Sequence, residues 1–88
     1  MPPPLKRPKP LKRNASLRDV VAYNIRSRRV DMALSQEDLA LSAELDRTYV
    51  SAVERGIWNI SLSNIERLSE VLEVEPWRLL KPPAAVGL

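Results

Sequence analysis

The chain has 88 residues and no cysteine, so it forms one small domain whose single core must hold without disulfides. Histidine is absent too, which leaves only carboxylates as metal ligands, argues against a structural zinc and gives an enzyme little support. Five of the 14 Lys and Arg fall in the first 13 residues, so the other nine face all 11 acids and the net charge of +3 belongs to the N-terminal segment.

Residues 1–14 carry five of the eight prolines and five cations, Lys6, Arg7, Lys9, Lys12 and Arg13, with no acid among them. Pro4-Leu5-Lys6-Arg7 recurs as Pro10-Leu11-Lys12-Arg13. Proline spacing and like-charge repulsion oppose a packed helix, so a disordered, extended, polyproline-like arm is expected. It is either a solvated tail or an arm lying along phosphates or in a minor groove. No apolar run reaches the length of a membrane span, and the basic N-terminus lacks the apolar core of a secretory signal. An intracellular, cytoplasmic protein without membrane association is expected.

A folded domain is expected over 15–81. Ser16 followed by Asp19 resembles a capping box, and Leu17, Val20, Val21, Ile25 and Met32 recur at helical spacing, predicting a first helix to about Met32. Arg28 falls on that stripe, so either its stem snorkels over the core or the stripe is rotated. Ser35 and Asp38 open a second helix with Leu39 and Ala40 facing inward. Asp46 caps a third, with Val50 and Val53 inward and Gly56 as the stop. Ser61 caps a fourth, striped by Leu62, Ile65, Leu68 and Leu72. Pro76 starts a short fifth helix to Leu80, and Pro82-Pro83 end it, leaving 82–88 as a flexible tail. With no strand signal, the prediction is an all-α, compact five-helix domain with a central helix-turn-helix at 36–55.

Within that stretch, apolar and small residues at Leu39, Ala40, Leu45, Val50 and Val53 allow two helices to cross steeply across a short turn. Arg47, Thr48, Tyr49, Ser51 and Ala52 then lie outside the packed face. These types suit a major groove. Arginine makes a bidentate contact to a guanine edge, Thr48 and Ser51 bond bases or phosphates, and Thr48 and Ala52 offer methyl contacts to thymine. Tyr49 reaches a backbone oxygen, and Gln36 brings an amide to the free N–H groups of a helix start. Glu66, Glu70, Glu73 and Glu75 read as a solvated acidic face rather than a metal or acid–base site.

Ser35-Gln36-Glu37-Asp38-Leu39-Ala40, Leu45 to Ser51, and Glu54-Arg55-Gly56 resemble the phage-repressor-like (Cro/XRE) helix-turn-helix family. Asn59 to Leu62, Asn64-Ile65 and Leu72 to Val74 extend the resemblance. Leu45 to Tyr49 and the short length are closest to restriction–modification controller proteins. The resemblance implies a transcriptional regulator that binds double-stranded DNA, as a homodimer on a palindromic operator, without cofactor, metal or small-molecule ligand. It implies a bacterial or phage, nucleoid-associated protein. It assigns Arg47, Thr48 and Ser51 to bases, and Gln36, Tyr49, Asn59 and Arg55 to the DNA backbone. It also implies a structural ion pair between Arg29 and Glu54. The alternative is a protein-interaction module on the same fold, such as an antitoxin or adaptor. Four positions depart from the family pattern. Glu44 replaces a turn glycine and must take positive φ or alter the turn. Ala33 and Glu73 replace glycines at two other helix ends. Trp58 replaces a basic loop residue and is expected to pack. Ile60 replaces a proline and is expected against a partner subunit.

Overall fold

The computed structural model describes residues 5–83. Residues 1–4 of the predicted arm and 84–88 of the predicted tail lie outside them. Four α-helices follow one another, α1 (Leu17–Asp31), α2 (Gln36–Ala43), α3 (Arg47–Glu54) and α4 (Leu62–Leu72). The predicted fifth helix is instead a 3₁₀ turn, Pro76–Leu80. Five residues ended by two prolines are too few for a stable α-helix, and the tighter 3₁₀ form closes i→i+3 bonds such as Arg78 N to Glu75 O (2.9 Å). Among the described residues there is no strand.

Every helix begins in the same way. Ser16, Ser35, Asp46 and Ser61 hold extended backbone, and each side chain accepts a bond from an amide of the first turn. At Ser35 the box is complete, because its own N–H donates to Asp38 Oδ2 (3.1 Å) while Asp38 N donates to Ser35 Oγ (2.9 Å).

The ends are equally uniform. Each helix closes with paired bonds of the Schellman type: Leu34 N to Arg29 O, Leu45 N to Ala40 O, Ile57 N to Ala52 O and Val74 N to Ser69 O, at 2.8–3.1 Å. This closure requires one left-handed residue, supplied by Ala33 (φ 58°), Glu44 (φ 57°), Gly56 (φ 69°) and Glu73 (φ 56°). Only one of the four is glycine. Glu44 therefore keeps the family turn and bears its strain, of order 1–2 kcal/mol. At Gly56 a Cβ would meet Asp19 Oδ1 at 2.8 Å, a carboxylate that can swing aside, so the left-handed backbone is the stronger reason for glycine there.

Val21, Ile25, Leu39, Val50, Val53, Ile65, Leu68, Leu72 and Leu79 form one core. Fully burying such side chains stabilises by roughly 1.5–3 kcal/mol each. α1 packs on α3, α4 and the 3₁₀ turn, and α2 packs on α3 and α4. Asn24 fastens the 3₁₀ turn to α1, its Nδ2 donating to Leu79 O (2.9 Å) and Lys81 O (2.8 Å). Arg28 resolves as a cap for another helix: its Nε donates to Leu72 O (2.8 Å) at the end of α4. Ile60 is half-buried and packs against this same core.

Candidate nucleic-acid interface

The α2–α3 pair crosses over Leu39, Ala40, Val50 and Val53, all at most 3% exposed. That packing leaves the N-terminal end of α3 outward. Asp46 Oδ1 accepts from Thr48 N (2.7 Å), which fixes the first turn and sets the direction in which Arg47 and Thr48 leave the helix. Both are exposed and Ser51 is half-buried. Arg47 has no carboxylate within ion-pair distance among the described residues. Its guanidinium therefore keeps its full donor fork, the group that pairs with a guanine edge.

Ala52 does not join them. It is 3% exposed, so its methyl is unavailable to a thymine. The expectation set it outside the face of Val50 and Val53, but the buried side of α3, which packs on both α1 and α2, extends to Ala52.

The backbone-contact candidates divide into free and engaged groups. Asn59 and Arg55 are exposed. Arg55 Nε reaches Ser51 O at a long 3.4 Å, so most of its donors remain outward. Gln36 is half-buried, and its Nε2 donates to Glu54 Oε1 (3.1 Å). This ties the first residue of α2 to the ion pair beneath it.

In that pair Arg29 Nε donates to Glu54 Oε2 (2.6 Å) and Nη2 to Oε1 (2.9 Å), a two-point fork. Arg29 Nη1 continues to Leu34 O (2.8 Å). The side chains are 5% and 0% exposed. The pair joins the end of α1, the start of α2 and the end of α3, and so holds the helix-turn-helix at its angle.

Tyr49 is half-buried, with its hydroxyl bonded to Asn64 Nδ2 (2.9 Å) and its ring 6.1 Å from that of Trp58, tilted by 48°. Sequence reasoning did not single out Asn64. At the third residue of α4 it reads as part of the helix start, and only the folded chain brings it to Tyr49. Trp58 was expected to pack, yet it is 48% exposed. It rests one face near Tyr49 and presents the rest beside Asn59 on the loop after α3.

The arm also differs from its expectation. Residues 5–14 have no regular secondary structure, but they lie against α1 instead of standing free. Arg7 pairs with Asp31 (2.6 Å), and Arg26 Nε donates to Lys6 O (3.3 Å). Lys6, Lys9, Lys12 and Arg13 are exposed.

A family profile described as Helix-turn-helix (HTH_3) matches residues 25–76. A Neisseria hypothetical transcription factor from Neisseria meningitidis serogroup B is 58% identical over 67 residues, 76% of this chain and 63% of that protein. Control protein C.BamHI of Bacillus amyloliquefaciens is 53% identical over 47 residues, 53% of this chain and 58% of that protein. The chain thus spans about three fifths of the length of these relatives. Among solved structures, the Neisseria transcription factor NHTF superposes with a TM-score of 0.85 at 53% identity, covering 90% of this chain and 91% of that one. The controller protein C.Esp1396I, as a tetramer in complex with its natural 35-base-pair operator, gives 0.68 at 33% identity, covering 75% and 87%.

Proposed function

The chain belongs to the phage-repressor-like (Cro/XRE) helix-turn-helix family, and from that membership we propose that it is a sequence-specific double-stranded DNA-binding regulator of transcription. It acts as a homodimer on a palindromic operator, in the manner of a restriction–modification controller. The observation that carries this reading is the front of α3: a capped helix start with Arg47 and Thr48 exposed and unpaired, above a rear face buried on α2. Arg47, Thr48 and Ser51 read base edges. Gln36, Tyr49, Asn59 and Arg55 hold phosphates on either side, fixing register without carrying sequence.

Two features support self-association. Leu41 and Leu62 expose 78% and 73% of their surface, apolar area that a second copy can cover. C.Esp1396I, similar in fold, engages its operator as a tetramer. A dimer places two copies of α3 in successive major grooves, one helical turn apart, which is why the operator should be a palindrome. Residues 15–81 are the DNA-binding domain on this reading. No helix among the described residues is long and apolar enough to cross a membrane. We place the protein in the cytoplasm, with neither catalytic activity nor cofactor.

The test is selection from random duplex DNA by the full-length protein. The expected result is one enriched palindrome whose half-sites are centred about 10 base pairs apart or a multiple of that. Absence of any enriched sequence at moderate salt refutes the regulator reading and leaves the fold as a protein-interaction module, the reading that a net-acidic remainder favours.

A further inference from the structure

The N-terminal arm is a strap with a built register. Its Asn14 end joins the start of α1, and Arg7 reaches Asp31, the last residue of α1. The strap therefore runs antiparallel along the whole helix. Fifteen residues of α-helix measure about 22 Å at 1.5 Å each. The last residues of the strap turn into the helix, Ala15 N donating to Lys12 O (3.1 Å), whereas residues 5–12 carry neither turn nor helix. A chain running extended over 5–12 repeats every three residues.

Burial at Pro8 and Leu11, both half-buried, follows that period, while Leu5 is exposed. Lys6, Lys9 and Lys12 share the next register and are all exposed, with no acid in ion-pair distance among the described residues. Three lysines thus form a ridge with a repeat of about 9 Å. Beside them lies an open cleft of about 600 Å³ whose walls also carry Arg26 and Arg55, with the carboxylates of Asp19 and of the Arg29-paired Glu54.

One end and one side of the strap lie toward the helix-turn-helix. At that end, Asp31 lies five residues before Gln36, the start of α2. Along its side, the cleft reaches Arg55 and Gly56 at the end of α3. The ridge is the dense positive feature of a chain whose remainder, from residue 14 onward, holds nine bases against 11 acids.

We propose that the Lys6–Lys9–Lys12 ridge, held in register by the docked strap, is a second phosphate-binding surface that grips one DNA strand outside the major-groove contacts of α3. Rigid docking is the essential part. A ridge of about 19 Å matches five to six nucleotides of one strand at 3.4 Å of axial rise each. Anchored lysines meet that strand without first losing the conformational freedom of a loose tail. The proposal rests on the DNA-binding reading, but it does not depend on α3 selecting a sequence.

The experiment measures log K against log salt for the full chain on a mixed-sequence duplex of about 30 base pairs, three helical turns. Replacing Lys6, Lys9 and Lys12 with Gln should lower the slope by about 2.7, at about 0.9 per phosphate contact. A second variant keeps the composition and moves the register: Pro8→Lys with Lys9→Pro, and Leu11→Lys with Lys12→Leu. It should lose two of the three ridge contacts, a fall of about 1.8 in the slope. An unchanged slope in the Gln variant overturns the proposal. A normal slope in the shifted variant overturns the docked ridge, since a loose charged tail is indifferent to register. Sequence selection by the Gln variant separates the two readings. The same palindrome at lower affinity supports the ridge, whereas a wild-type chain that enriches nothing yet shows the slope change refutes the operator reading alone.

Discussion

Replacing Glu54 with Ala should be among the most damaging single changes in this chain. The carboxylate is fully buried and accepts three bonds, two from Arg29 and one from Gln36. Its removal leaves the Arg29 guanidinium 5% exposed, with Leu34 O as its remaining partner. Truncating one side of such a pair costs about 3–5 kcal/mol, most of it the uncompensated charge. For a chain of this length the total stability is about 4–13 kcal/mol at 0.05–0.15 kcal/mol per residue. The variant should therefore lose about a quarter or more of its stability, and the thermal midpoint should fall by roughly 12 °C or more at 4–8 °C per kcal/mol. Urea unfolding followed by far-ultraviolet circular dichroism measures this at one fixed protomer concentration, because self-association adds its own stability. The double variant Arg29→Met with Glu54→Leu removes both charges and should recover most of the loss. A Glu54→Ala cost below about 1 kcal/mol, the range of an exposed pair, refutes the reasoning. So does a double variant as unstable as the single one.

The left-handed helix ends give the opposite sign. Ala33→Gly, Glu44→Gly and Glu73→Gly should each raise the unfolding free energy, and with it the urea midpoint, by about 0.5–1 kcal/mol once the strain of about 1–2 kcal/mol is offset by the extra unfolded-state freedom of glycine. Arg47→Ala should leave stability within about 0.5 kcal/mol, and relax specificity at one symmetric base position by about 1–3 kcal/mol in competition binding. Equal losses at every position would make it a phosphate contact. The Asp38 carboxyl is held below its ordinary value of 3.8, first by the Ser35 amide donating to it and then by the Ser35 side chain. Its capping contribution is present above the ordinary range and lost as pH falls through the depressed value. Asp38→Asn should remove that part of the acid sensitivity in a pH series of unfolding midpoints.

The helices were legible because local chemistry determines them. Ser16, Ser35, Asp46 and Ser61 mark their starts, and all four are observed as caps. Glu44 could be named as the strained turn residue because the family resemblance marks its position as one that favours glycine, and it is observed at φ 57°. One error lies on α3: read from Val50 and Val53 alone Ala52 looked outward, yet the buried side of that helix includes it. The strap was read as free because nothing in residues 1–14 names the surface it docks on. Its acceptor, Asp31, is far along the next helix. Arg29–Glu54 followed from the family resemblance and is observed, while the short local pattern gave no reason for Gln36 to join it.

The bond between Asn64 and Tyr49 has a polarity of its own. An amide nitrogen only donates, so the phenol oxygen spends a lone pair on Asn64 and keeps its proton uncommitted. That proton can be given only to an acceptor, and the oxygens of a phosphodiester are acceptors without hydrogens. On the DNA-binding reading Asn64 thus leaves Tyr49 facing outward as a donor, and its proton is what a phosphate oxygen would meet.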